Sequence, residues 1–167
     1  MAGVGINELR NAMDYILTEK AANNFIQFSD KDKIDVIPFS NTVQNIWSTN
    51  NGANTADILT NINSNKASGS TAIYPAAIKA LEILKDEDQN IYNTSVILMT
   101  DGHGNVGTFN DLKNYYQGVE KQIPIYSIMF GSAEQWQLNE IAKLTNAKIF
   151  DGKENLVEAF KEVRGYN

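Results

Sequence analysis

The sequence has no cysteine, 3 prolines and a single histidine in 167 residues. Disulfides, thiolate metal sites and a cysteine nucleophile are therefore excluded. No Gly-x-Ser-x-Gly elbow and no phosphate-binding glycine loop with its lysine occurs. A small α/β hydrolase would have to rest on Asp101 and His103, two positions apart on a glycine-flanked loop where nothing makes them face one another. Basic residues are also few: 14 Lys and Arg stand against 20 Asp and Glu, for a net charge of −6. With no long basic run, nucleic acid and anionic membrane surfaces are poor partners, since both reward clustered Lys and Arg. No apolar stretch approaches the roughly 20 residues of a membrane span, and Met1–Gly5 shows neither the basic nor the apolar stretch of a signal peptide.

What is present is ordinary for a folded globular chain, with 43% hydrophobic residues and no repeat or linker. The length suits one domain over residues 1–167. Apolar residues at Leu9, Met13, Ile16, Leu17, Ala21, Phe25 and Phe28 recur every three or four positions, which predicts one long amphipathic helix from Ile6 to Phe28. Ile34–Phe39 alternates like a strand, with Pro38 near its end, and Val43–Trp47 reads as a second short strand at an antiparallel edge. A weak helix over Thr55–Asn63 precedes the loop Ser68-Gly69-Ser70-Thr71. A strong helix then carries Ile73, Ala77, Ala80, Leu81 and Leu84, with Pro75 in its first turn.

Ser95–Met99 is a continuous apolar run, the mark of a strand covered on both faces. Thr108 with Asp111, and Ser132 with Gln135, read as capping boxes opening two further helices. Ile123–Phe130 and Ala147–Phe150 are strands, and Leu156, Ala159, Phe160 and Val163 mark a last helix. Alternation of this kind predicts an α/β fold: a doubly wound, mostly parallel sheet with helices on both faces. The strands at Ile34–Phe39, Thr94–Met99, Ile123–Met129 and Ala147–Phe150 are expected as parallel neighbours.

In open α/β sheets ligands gather beyond the carboxyl ends of strands. Two oxygen-bearing loops arrive there: Ser68–Thr71, and Thr100-Asp101-Gly102-His103-Gly104-Asn105. Hydroxyl and carboxylate oxygens are the hard ligands that Mg²⁺ and Mn²⁺ prefer. Each residue also has a plainer reading. Asp101 before Gly102 could shape a turn, Thr71 could cap a helix, and Ser68 and Ser70 could be turn formers. A lone loop histidine such as His103 is usually solvated, and Trp47 and Trp136 read as packing residues.

Val36-Ile37-Pro38-Phe39-Ser40, the SGST of residues 68–71, the ILMTDG of residues 97–102, Ile125–Gly131 and Leu138–Ala142 together resemble the von Willebrand factor A domain family along essentially the whole chain. The ending Ala159–Asn167 is similar to bacterial members that carry this domain at their C-terminus. The resemblance implies a protein-binding module that holds a divalent cation at a metal-ion-dependent adhesion site (MIDAS), with an acidic residue of the partner completing the shell. It maps the second-loop threonine to Thr71 and the third-loop aspartate to Asp101, with Mg²⁺ or Mn²⁺ as the ion.

The family's first loop, Asp-x-Ser-x-Ser at the end of an opening central strand, has no counterpart here, and Asp14 lies inside the first helix and cannot replace it. The resemblance therefore implies a chain that begins at an internal methionine, just past that loop and without the central strand. Three expectations follow. Cation binding is weak. The sheet has a gap of roughly 9.6 Å, two strand spacings, between Ile34–Phe39 and Thr94–Met99. The gap is filled either by strand exchange in a homodimer or by collapse of these two strands onto each other. A metal-independent interaction fragment of a larger protein is the alternative reading.

Overall fold

A computed structural model describes residues 4–18, 27–133 and 135–165. The first amphipathic stretch forms α1 (Val4–Ile16), which buries Ala12 and Ile16 and leaves Asn7, Glu8 and Asn11 exposed. The helix is shorter than the periodicity predicts. Residues 19–26, including Ala21 and Phe25, lie outside the described residues, and Phe28 is not helical but packs edge-on against Phe160 at 6.4 Å. The buried hydroxyl of Thr55 donates to the carbonyl of Leu17 at 2.5 Å, satisfying an acceptor that the ended helix frees.

The next two strands are β1 (Ile34–Val36) and β2 (Trp47–Thr49), paired antiparallel with Ile34 opposite Thr49 and Val36 opposite Trp47. This corrects two expectations. The first strand stops at Val36, before Pro38, which has no N–H to donate. The second starts at Trp47, and before it Phe39 and Val43 make only an isolated bridge. After α2 (Ala56–Ser64) and α3 (Ile73–Leu84) the buried run becomes β3 (Val96–Thr100). Then follow α4 (Phe109–Gln117), β4 (Ile125–Met129), α5 (Gln135–Leu144), β5 (Ile149–Asp151) and α6 (Leu156–Arg164). The Thr108–Asp111 capping box forms as predicted.

Strands β3, β4 and β5 make a parallel sheet with β4 in the middle and all five of its residues buried. Successive side chains alternate between its faces. Ile97, Met99, Tyr126, Ile128 and Phe150 pack with α1, α2 and α6, whereas Val96, Leu98, Ile125 and Met129 pack with α3, α4 and α5. The fold is thus doubly wound α/β. Buried Thr145 joins the layers: its hydroxyl accepts from the amide of Ile125 at 3.1 Å and donates to the carbonyl of Ile141 at 3.0 Å, tying the end of α5 to the start of β4.

Among the described residues the expected single sheet of four parallel strands is not found. The β1–β2 hairpin stands apart, and β1 shares no backbone ladder with β3, so the two have not collapsed together. Two supports hold the hairpin off. Ile34, Val36 and Trp47 already pack in the cluster that contains Ile58 and Ile62 of α2, and the amide of Ala72, beside α3, donates to Ser40 at 3.0 Å. Between β1 and β3 lies a cleft of about 1140 Å³. At about 24 cal/mol per Å³, a dry void of that size would cost on the order of 25 kcal/mol, more than the whole stability of most domains.

Isoleucine truncations on β4 and on the edge strand β3 should read this asymmetry. Ile128→Ala, in fully buried β4, is expected to cost about 2–5 kcal/mol in urea denaturation. Ile97→Ala, half-buried beside the cleft, should cost less than about half of that. Equal costs would mean that the cleft is closed in the free chain.

Candidate functional site

Three loops meet at the carboxyl end of β3. The Ser68–Thr71 loop turns at Gly69, whose φ of +83° suits glycine, and whose missing Cβ leaves room for the Asn41 side chain. The Asn41 carboxamide oxygen accepts from the amide of Ser70 at 2.5 Å, and the carbonyl of Ser40 accepts from Ala72 at 3.0 Å. Thr71 is pinned by Asn105: its amide donates to Asn105 Oδ1 at 2.9 Å and its carbonyl accepts from the Asn105 amide at 3.0 Å. These bonds bring residues 40–41, 68–71 and 101–105 to one rim of the cleft, and both Thr71 and Asp101 line it.

The cap position of α3 is not held by Thr71: Ala72 occupies it, without a side-chain bond. The turn after β3 is shaped by Thr100, whose Oγ1 donates to the Gly102 carbonyl at 3.2 Å and accepts from the Gly102 amide at 3.3 Å. The Asp101 carbonyl accepts from both the amide and the hydroxyl of Ser132, at 2.9 and 3.1 Å. Ser132 was expected to cap the following helix and is instead a brace for the Asp101 loop.

Two glycines permit the close approach. A side chain on Gly131, at φ +55°, would press on Asp101 Cβ at 2.9 Å, and one on Gly5 would overlap Asp101 Oδ2. The Asp101 carboxylate therefore lies directly against the first turn of α1, where helix N–H groups favour negative charge. A Cβ on Gly102 would stand 3.4 Å from Thr71 Oγ1, which places that hydroxyl beside the Asp101–Gly102 turn.

Behind the rim, Gln137 of α5 is 4% exposed and makes a two-way bond with Gly104: Oε1 accepts from its amide and Nε2 donates to its carbonyl, each at 2.8 Å. Tyr74 lies beside Gln137. Burial pushes its phenol above the ordinary range, with the negative charge of Glu140 adding to the shift. His103 is exposed, its ring 6.2 Å from that of Trp136, which is itself 53% exposed and so not the packing residue expected of it. Ser68 is exposed, whereas Ser70 and Thr71 are half-buried.

Asn41, Asn105, Ser132 and Gln137 were not legible as site residues. Only Gln137 left a signal: it falls four positions before Ile141, on the apolar face of α5, where a polar residue needs an internal partner. The donor set at the rim is of the right kind for a hard cation, one carboxylate and neighbouring hydroxyls, but small in number. Among the described residues no group of three or more His, Cys, Asp or Glu is placed to hold a metal.

The family model for the von Willebrand factor type A domain matches residues 4–162. Among solved structures, the chain is similar to a von Willebrand factor type A protein from Catenulispora acidiphila, at 17% identity and a TM-score of 0.71, covering 95% of this chain and 36% of that one. It is also similar to proximal thread matrix protein 1 of the mussel byssus with a zinc-occupied MIDAS motif, at 19% identity and a TM-score of 0.65, covering 94% of this chain and 39% of that one. The chain thus spans less than two fifths of either protein, and at these identities the likeness is one of fold. A search of curated proteins finds no match.

Replacing Gln137 by Ala should strand the buried amide and carbonyl of Gly104. A loss of about 2–3 kcal/mol in urea denaturation is expected, with NMR shifts at Asp101–Asn105 larger than those in β5. A loss below about 0.5 kcal/mol would show that the Gly104 bonds do not hold the loop.

Proposed function

The chain belongs to the von Willebrand factor type A domain family, and on that premise we propose that it is a protein-binding module whose rim at the end of β3 holds a divalent cation through Asp101 and Thr71. The observation that carries this reading is the pinning of Thr71 by Asn105, which draws the threonine loop and the aspartate loop to one rim. The two protein ligands are a carboxylate and a hydroxyl, oxygen donors suited to Mg²⁺ or Mn²⁺ with water in the remaining positions. The zinc-occupied motif of the mussel protein supports a divalent ion of some kind in this fold.

With so few ligands the ion is held weakly. It leaves open positions that an acidic side chain of a partner protein can fill, and such a carboxylate would contribute both a ligand and a compensating charge. Catalysis is not part of this reading. The sole histidine lies exposed beside Trp136, and neither a nucleophile elbow nor a paired base accompanies it.

Calorimetric or paramagnetic titration with Mn²⁺ should give one weak site that Asp101→Ala abolishes and Thr71→Ala weakens. Asp86→Ala, an exposed loop aspartate away from the rim, should leave it unchanged. Binding that survives Asp101→Ala at full strength would put the ion elsewhere and overturn the assignment.

A further inference from the structure

The loop that brings Thr71 to the rim is irregular between α2 and α3, so its place depends on bonds to other parts of the chain. Two asparagines supply them from opposite sides. Asn105 acts from the Asp101 loop, bonding both the amide and the carbonyl of Thr71. Asn41 acts from residues 37–46, the segment joining β1 to β2, where its Oδ1 accepts the amide of Ser70 at 2.5 Å. Next to it, the Ser40 carbonyl accepts the amide of Ala72 at 3.0 Å. Thr71 therefore stands between two residues that are both fastened to the same short stretch of the hairpin.

That stretch is a folded support. The Gln44 amide donates to the Pro38 carbonyl at 2.8 Å, the Ser40 amide donates to the Thr42 carbonyl at 3.0 Å, and Gln44 Nε2 donates to Ser40 Oγ at 3.3 Å. The fit against it is close. A Cβ on Gly69 would overlap Asn41 Oδ1, and the φ of +83° at Gly69 also disfavours any side chain there. Glycine thus lets the Asn41 carboxamide reach the Ser70 amide.

We propose that Asn41 is a positioning residue for the rim, through which the β1–β2 segment sets the place of Thr71 against Asp101 and so governs how well the rim holds a divalent cation. This rests on the reading of Thr71 and Asp101 as the ion's ligands. Asn41 acts through Ser70 and is not itself a ligand. An uncharged hydroxyl attracts a cation less than a carboxylate does, so Thr71 contributes only where its loop is already held in place. Coupling of this kind is reciprocal: an ion at the rim steadies residues 40–41, and displacement of that segment loosens the ion.

The test uses the full 167-residue chain with Asn41→Ala, which removes the acceptor, and Asn41→Asp, which keeps one. In the metal-free chain, hydrogen exchange at the Thr71 and Asn105 amides should quicken about threefold or more in Asn41→Ala and stay near the parent rate in Asn41→Asp. Exchange at Ile128, in buried β4, should change in neither, as an intact fold requires. Gln44→Ala, in the same segment but bonded to Ser40 and not to Ser70, should leave Thr71 unchanged. In a Mn²⁺ titration Asn41→Ala should bind about tenfold more weakly than the parent. Unchanged exchange at Thr71 in Asn41→Ala would overturn the proposal, and so would an equal effect from Gln44→Ala. Unchanged Mn²⁺ affinity in Asn41→Ala, where Asp101→Ala abolishes binding, would sink it as well. If Asp101→Ala leaves Mn²⁺ binding intact, the cation assignment is what fails, and exchange at Thr71 still decides whether Asn41 places the threonine.

Discussion

The parallel pairing of β3 with β4 is the interaction on which the rest of the structure depends. Every residue of β4 is buried, and the strand has a partner on each side. Its alternating side chains enter both hydrophobic clusters, so the helices of the two layers pack on opposite faces of one strand. The same ladder fixes the phase of β3. Having given Val96, Leu98 and Thr100 to β4, it leaves the groups of Ile97 and Met99 directed the other way. Backbone polarity is obligatory, so the ladder that completes one side of β3 also defines the deficit on the other.

That deficit organises the second half of the molecule. The hairpin of β1 and β2 supplies the far wall of the cleft without supplying a partner for β3, because its own apolar residues are already covered by α2. A long exposed strand edge is a liability in most proteins, since it invites pairing with whatever chain arrives. Here the edge is recessed between two helical layers, with Leu9, Met13 and Phe160 on one side and Ala76, Ala77 and Ala80 on the other.

The cation rim and the cleft share β3 and its following loop. Asp101 comes at the carboxyl end of the strand whose edge is open, and its loop is braced from three directions: Ser132 after β4, Gln137 on α5 and Asn105 against Thr71. These braces are neutral amides and hydroxyls, which fix the backbone while leaving the Asp101 carboxylate as the charged group among them. Gly5 lets that carboxylate approach the beginning of α1, so the helix and the aspartate are close enough for the position of one to set that of the other.

Several features were determined by the sequence alone. The apolar run at Val96–Met99, the helical spacing around Leu138 and Ile141, and the Thr108–Asp111 box are local patterns, and each produced its element. The family was legible too, because its motifs keep their order along the chain. Tertiary structure decided what local pattern cannot carry. Ile34–Val36 has the alternation of a strand in any sheet, yet its partner is Trp47–Thr49 and not β3, since α2 and the Ala72–Ser40 bond hold the hairpin aside. Ser132 had the signature of a cap but braces Asp101, because a hydroxyl bonds whichever acceptor the fold brings nearest. Asn105 carries no pattern at all, and its role exists only once Thr71 lies beside it. Periodicity records which face of an element seeks burial, while hydrogen-bond partners distant in sequence are chosen only when the layers have closed.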